Sequence, residues 1–465
     1  MRYLALCTDY DGTLATDGRV LPDTVRALER LLASGRRLVL VTGRELDDLQ
    51  RVCHRLDLFE YVVAENGALL YQPATGEETP LAQGPPDSFV AALRARGVGP
   101  ISVGRVIVAT WEPHETTVLA TIRDLGLELQ VIFNKGAVMI LPAGVTKASG
   151  LAHALQKMEI SPHNTVGVGD AENDHALLSS CECSVAVANA LPTLKRAADI
   201  VTAADRGAGV VELIDEMLRD DLASREPQLH RHQLLLGTDT RHREVHIAPH
   251  GETVLLVGAA NSGKSALAAK LMEQLEARGY TFCVIDVEGD YGTIAKAVSL
   301  GTPDRPPTVD EVLSLLRDAD KSGVINLAGL PVADRLPFLR DLAPRLTELR
   351  SHLGHPHWVT LNETHHLFPA NEANPAEFGE SVLHITERPA LVAREVLRAT
   401  SLFIAVGAQG QQLLEEFCQV SGVNPPANRL TALDDTAIVG WRPQHPNAEA
   451  FRLNIESARP KRAAS

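Results

Sequence analysis

Tyr3 to Ala15 reads YLALCTDYDGTLA, an apolar run that suits a buried strand, followed at once by the carboxylates Asp9 and Asp11 and by Gly12, which can turn the chain sharply. Carboxylates at the C-terminal end of a strand line the crevice in which open α/β sheets take their ligands. Outward from this stretch, strand-like and helical patterns alternate: YLALCT, a helix near Thr24 to Ala33, RLVLVTG, then a helix from Glu45. That rhythm predicts an α/β fold built on a parallel sheet with helices on both faces.

A chain of 465 residues is too long for a single hydrophobic core, so more than one domain is expected. The βα rhythm breaks between 71 and 142, where Gly/Pro-rich edges (QPATGEETP, QGPP) flank strand-like ISVGRVIVATW and VIFNKGAVMIL, and it resumes with NTVGVGD and CSVAVANA. We therefore expect a first module over 1–222, with its core at 1–70 and 143–222 and an inserted α+β cap at 71–142. A polar, His-rich stretch at 223–250 reads as a linker or an edge hairpin, and a second βα series over 251–455 as another α/β domain. The last nine residues, SARPKRAAS, read as a frayed basic end.

Composition narrows the function classes. Apolar residues at 45% and charged residues at 22% are globular values. A formal net charge of −15 gives no general attraction to nucleic acid or anionic membranes. Of six scattered cysteines only Cys181 and Cys183 lie close, and without CxxC spacing, so neither a disulfide framework nor a zinc site is expected. No stretch reaches the roughly 20 apolar residues of a membrane span, and the first residues lack signal-peptide form; a cytoplasmic location is the simplest expectation.

Further polar groups appear at strand ends. Thr42 closes RLVLVTGR and offers a hydroxyl to phosphate oxygens. Lys147 is a compact point charge suited to phosphate. Asp170 ends TVGVGD, and Asp174 lies four residues on, where the start of a helix would bring both carboxylates near one hard cation. The ordered set DYDGT, VTGR, Lys147 and GDAEND resembles the haloacid dehalogenase superfamily. ENGALLY (Glu65 to Tyr71) followed by an insertion before Lys147 is similar to its Cof-type branch, whose cap lies between the second and third motifs. The resemblance covers residues 1 to about 220 and implies a Rossmann-like core with a phospho-aspartyl intermediate on Asp9 and Asp11 as general acid and base. It further implies Mg2+ held by Asp9, the Asp11 backbone carbonyl and Asp170 with Asp174 supporting, phosphate bound by Thr42 and Lys147, and Asn173 as a polar partner. A small phosphorylated metabolite, such as a sugar phosphate, is the substrate class it implies.

The second series opens on TVLLVGAANSGKS, a strand followed by GxxxxGKS and a helical pattern. Such a loop turns backbone N–H groups toward a polyphosphate at a helix N-terminus. Gly258, Asn261, Ser262, Gly263 and Lys264 are thus expected to cradle ATP, and Ser265 to reach its Mg2+. HWVTLNE supplies Asn362 and Glu363 after a later strand, and Glu363 is the candidate base for the attacking water. IDVEGDY places Asp286, Glu288 and Asp290 after another, and LFIAVGAQG ends near Gln409, a candidate γ-phosphate sensor. Together these resemble the HerA/FtsK-like branch of P-loop ATPases over about Thr253 to Gln412, with Asn362 where Asp is usual and Asp290 where Glu is usual. Members of that branch form rings and move DNA, which implies a homo-oligomer and an arginine finger; Arg388, Arg394 and Arg398 are candidates, alongside a solvated helix face. The leading reading is an Mg2+-dependent phosphatase fused to an ATP-binding domain. The alternative is a nucleotide-driven assembly or DNA motor in which the phosphatase fold is a sensor.

Overall fold

A computed structural model describes residues 1–292, 294, 296–444 and 449–454, so the terminal SARPKRAAS lies outside the described residues. The chain divides into two compact units, 1–231 and 232–465.

In the first unit the fully buried Ala5–Thr8 strand is the centre of a sheet. It pairs in parallel with Thr165–Gly169 on one side and Arg37–Val41 on the other. Cys183–Ala186 and Ile200–Val201 extend the sheet beyond the former, and Tyr61–Ala64 beyond the latter. These are near-continuous apolar runs, as strands covered on both faces require. Two further strands, Leu69–Gln72 and Glu77–Pro80, add antiparallel at the Tyr61 edge. The cap expected from 71 therefore begins later, because 69–80 satisfies its backbone by hydrogen bonding to the core sheet rather than to the insertion. The cap itself is a four-stranded antiparallel sheet, with Leu129–Asn134, Ala137–Pro142, Val108–Trp111 and Ser102–Val103 in that order. The helices Asp87–Ala95 and Glu115–Asp124 bury Phe89, Leu93 and Val118 in a core with Val108, Val138 and Ile140 of that sheet.

The second unit contains, among the described residues, an eleven-stranded sheet. Seven strands are parallel, in the order Leu402–Val406, Thr253–Val257, Val382–Thr386, Trp358–Leu361, Phe282–Asp286, Gly323–Asn326 and Val298–Leu300. Four antiparallel strands continue it past Leu402–Val406: Ile438–Trp441, Phe451–Asn454, Leu234–Asp239 and Glu244–Ile247. The last two are a hairpin inside the stretch 223–250. The second unit thus starts at 232 rather than 251, because the hairpin shares its sheet, whereas the Ala223–Gln228 turn belongs with the first unit. Among the described residues, no helix is long and apolar enough to cross a membrane.

One close approach in the first unit fixes where Lys147 sits. The Lys147–Met158 helix starts at a capping box in which Thr146 and Ser149 exchange side-chain and backbone hydrogen bonds. Its first turn presses on the Glu65–Gly67 turn so tightly that a Cβ on Gly67 would lie 1.9 Å from the Thr146 carbonyl oxygen, and Gly67 has φ +104°. Gly67→Ala should therefore cost about 3 kcal/mol or more through clash and backbone strain. Gly126→Ala, at φ +63° with nothing within 4 Å, should cost only about 1 kcal/mol. Thermal or urea melts of both variants test the difference; equal losses would contradict the packing described.

Candidate active site

Two strand ends and the turn after one of them converge at the C-terminal edge of the first sheet. Ala5–Thr8 delivers Asp9 and Asp11, Thr165–Gly169 delivers Asp170, and the short turn after it delivers Asp174. Carboxylate oxygens of Asp9, Asp170 and Asp174 all lie within 4.8 Å of one another. All three residues are buried. Lys147, at the first turn of its helix, is 1% exposed and bridges two of them, with Nζ 2.5 Å from Asp9 Oδ1 and 2.6 Å from Asp174 Oδ1. The other Asp174 oxygen, Oδ2, accepts the backbone N–H groups of Asp170 and Ala171 at 2.9 Å each, which fastens the turn. Thr13 donates its hydroxyl to Asp170 Oδ1 at 3.2 Å.

Charge is unevenly balanced here. Burial, followed by the Asp174 charge, outweighs Lys147 and pushes Asp9 up to about 7. Burial likewise raises Asp170 against the opposing pull of Lys135 and Thr13. For Lys147 burial acts to lower the pKa, but Asp174 and Asp9 outweigh it and hold the ammonium above its ordinary value. A cluster of buried carboxylates deficient in positive charge, with oxygen donors only, has the chemistry of a hard divalent cation site.

Asp11 points its two functional parts in different directions. Its carboxylate accepts two hydrogen bonds from the Arg44 guanidinium, Nε at 2.6 Å and Nη2 at 2.7 Å, a bidentate geometry that fixes its orientation. Its backbone carbonyl instead faces the carboxylate cluster, where it accepts the Lys135 ammonium at 2.8 Å. Gly12, at φ +87°, makes this turn possible, since a Cβ there would sit 2.4 Å from Asp170 Oδ2. Thr42 is buried at the end of the neighbouring Arg37–Val41 strand, with its hydroxyl accepting the Arg44 N–H at 3.2 Å. Asn173 donates to Asn66 Oδ1 at 2.9 Å.

Three contributors carry no role read from the sequence, although Arg44 ends VTGR and Glu65 opens ENGALLY. Lys135, at the tip of a cap hairpin, also reaches Asp170 Oδ2 at 2.9 Å. Arg44 clamps Asp11. Glu65, fully buried, accepts backbone N–H groups of Arg105, Val106 and Ile107 at 2.7, 2.7 and 2.9 Å, pinning a cap loop to the core.

In the second unit the GxxxxGKS segment joins the Thr253–Val257 strand to the Lys264–Ala277 helix. Asn261 (φ 60°) and Gly263 (φ 100°) are left-handed, which wraps the loop over the helix N-terminus. Lys264 is buried and donates to the Gly258 carbonyl at 2.7 Å and more weakly to Ala259 at 3.3 Å. Ser262 Oγ is buried without a hydrogen-bond partner. Ser265 opens the helix on its exposed side. Glu363 follows the Trp358–Leu361 strand in a left-handed conformation, 3.9 Å from the Lys264 ammonium, and burial raises its pKa against that lysine. Asn362 donates its amide to Asp286 Oδ1 at 3.2 Å. Asp286 also accepts N–H groups of Glu288, Gly289 and Tyr291, so its carboxylate organises the DVEGDY loop. Glu288 and Asp290 are exposed on that loop. Gln409 caps the Gly410–Ser421 helix at the end of the strand beside Thr253–Val257, with no side-chain cap bond. Each candidate finger arginine has a partner within the unit: Arg388 pairs with Glu416, and Arg394 and Arg398 donate to the Ser421 carbonyl.

Residues 6–91 and 112–214 match the family model for haloacid dehalogenase-like hydrolases. The chain is similar to a phosphoglycolate phosphatase of Methanothermobacter thermautotrophicus, 31% identical over 219 residues that cover 45% of this chain and 96% of that protein. A phosphoglycolate phosphatase of Halorubrum lacusprofundi is 33% identical over 220 residues, covering 44% of this chain and 95% of that protein. A solved haloacid dehalogenase-like hydrolase from Bacteroides thetaiotaomicron is similar at 18% identity with a TM-score of 0.41, covering 46% of this chain and 99% of that one.

The elevated Asp9 carboxyl has a measurable consequence. A carboxyl with a folded pKa above its unfolded value near 4 binds its proton more tightly when folded, so its contribution to stability is full below about pH 4 and is lost as the pH rises to about 7. Metal-stripped protein should therefore melt at a lower temperature at pH 8 than at pH 5, and Asp9→Asn should flatten that dependence. Parallel pH profiles for wild type and variant would contradict it.

Proposed function

The N-terminal half of this chain belongs to the haloacid dehalogenase-like hydrolases and is a phosphatase domain, and from that premise we propose that it hydrolyses small anionic phosphomonoesters, of the phosphoglycolate or sugar-phosphate kind, with Mg2+ and through a phospho-aspartyl intermediate on Asp9. The observation that carries this reading is the convergence of Asp9, Asp170, Asp174 and Lys147 on one buried point at the strand ends.

In this reading Lys147 holds Asp9 Oδ1 and leaves Oδ2 to attack phosphorus. The P–O bond to the leaving group breaks as the new P–Oδ2 bond forms, and Asp11 gives its proton to the departing oxygen. Asp11, now a base, takes a proton from water as that water attacks the phosphoryl group, releasing phosphate and restoring Asp9. Arg44 sets the direction of the Asp11 carboxylate, and in the protonated form it keeps one Asp11 oxygen while the other carries the proton toward the leaving group. Thr42 and the ammonium of Lys147 bind phosphoryl oxygens. Asp9, the Asp11 carbonyl and Asp170 would hold Mg2+, with Asp174 and Asn173 supporting, and the ion supplies positive charge against the anionic phosphoryl group. The donor set suits such an ion because it is all oxygen, buried and short of positive charge.

For the second unit we propose ATP binding by the Gly258–Ser265 loop. Lys264 spends its hydrogen bonds on the loop's own carbonyls, contacts a polyphosphate can replace, and the partnerless Ser262 hydroxyl lies in the same loop. Glu363 would orient water for hydrolysis. Asn362 suits its place because an aspartate there would face the Asp286 carboxylate, whereas the amide donates to it.

Two variants separate these activities. Asp9→Asn should lower turnover on a phosphomonoester panel by about a thousandfold or more. Lys264→Ala should leave that turnover within about twofold while lowering affinity for a fluorescent ATP analogue about a hundredfold, as loss of a charged phosphate contact implies. Phosphatase activity that survives Asp9→Asn would refute the first reading, and unchanged nucleotide binding in Lys264→Ala the second.

A further inference from the structure

The cap hairpin between Leu129–Asn134 and Ala137–Pro142 turns through two residues, Lys135 (φ 50°) and Gly136 (φ 86°). Both central residues are left-handed, the backbone of the tight two-residue turn that matches strand twist. Asn, Asp and Gly adopt that first position readily, whereas a lysine there is disfavoured by its Cβ. The side chain is also half exposed along its length, so burial of its stem does not explain the choice. Its head group does have a specific place. The ammonium lies 2.8 Å from the Asp11 carbonyl oxygen and 2.9 Å from Asp170 Oδ2, one carboxylate of the buried cluster.

Those two oxygens are two of the three protein ligands assigned to Mg2+ under the proposed function, on which this inference rests. A divalent ion joining them would stand about 2.1 Å from each. An ammonium hydrogen-bonded to both fills the same space, and two cations cannot share it. We propose that Lys135 is a tethered competitor of the metal: in the metal-free protein it occupies the cation position and holds the cap hairpin down on the core, and metal binding expels it and frees the hairpin.

The geometry leaves little slack for both states at once. Gly12, which forms the floor beneath the ammonium, has no room even for a methyl group, since a Cβ would lie 2.8 Å from Lys135 Nζ. The far side of the cap is fastened separately, by the Glu65 carboxylate on the N–H groups of Arg105 to Ile107. Release of Lys135 would therefore move the hairpin about a point that stays attached.

The test uses the full chain, stripped of metal and without nucleotide, titrated with Mg2+ by calorimetry. Lys135→Met should bind Mg2+ about three- to tenfold more tightly than wild type, because the competent state no longer has to be freed from its own ammonium. Hydrogen exchange over 129–142 should be slow in metal-free wild type, quicken on Mg2+ addition, and be fast with or without Mg2+ in Lys135→Met. Equal or weaker Mg2+ binding by Lys135→Met, or hairpin exchange indifferent to Mg2+, overturns the proposal; a raised KM with unchanged Mg2+ affinity would make Lys135 a substrate contact instead. Asp170→Asn keeps the two levels apart. Should it lose Mg2+ binding while Lys135→Met matches wild type, only the competition fails; should it bind Mg2+ like wild type, the metal assignment fails and the competition with it.

Discussion

Three carboxylates whose oxygens lie within 4.8 Å of one another repel strongly, and the ammonium of Lys147 is what lets Asp9 and Asp174 share the base of the crevice. The lysine is itself in an awkward place. It stands at the N-terminal turn of its helix, where the backbone dipole disfavours positive charge, and it is removed from water. Neither the lysine nor the aspartates would be stable there alone; each is tolerable because of the other. The requirement spreads outward from that contact. The helix must begin at Thr146, the Glu65–Gly67 turn must yield space for it, and Gly67 and Gly150 supply that space by having no side chain.

The two units place their chemistry by the same architectural rule on different scaffolding. In each, polar groups emerge at the C-terminal ends of adjacent parallel strands, where the sheet leaves a crevice. In each, a buried lysine closes on groups of its own chain. Lys147 is hydrogen-bonded to two carboxylates and is an integral strut, whereas Lys264 gives its hydrogen bonds to carbonyls of its own loop and has Glu363 only at 3.9 Å. That contrast separates a lysine locked between carboxylates from one whose hydrogen bonds stay within its own loop.

Much of this was legible in the sequence because it is local. DYDGT, VTGR and GDAEND each follow an apolar run, so their position at strand ends follows from pattern alone, whereas Lys147, expected at a strand end, instead opens a helix five residues past Pro142. What was hidden depends on partners distant along the chain. The chain from Tyr71 to Pro80 looks like the start of the cap because QPATGEETP is a Gly/Pro-rich edge, yet an edge strand needs little apolar surface when its backbone is paired. Lys135 lies in an ordinary-looking FNKGA turn, and only the tertiary placement of the hairpin tip carries it to Asp170. Arg388, Arg394 and Arg398 show spacing fit for a helix face, but their ties to Glu416 and Ser421 arise from a helix more than twenty residues later.

The hairpin Leu234–Asp239 and Glu244–Ile247 has a practical implication for anyone dissecting the chain. It covers the flank of Phe451–Asn454, the strand contributed from the far end of the same unit. A fragment cut at Thr253, just ahead of the GxxxxGKS segment, would strip that flank and leave an open row of peptide donors and acceptors, the kind of surface through which polypeptides stack into insoluble material. The natural place for the scissors is the Arg231–His232 bond.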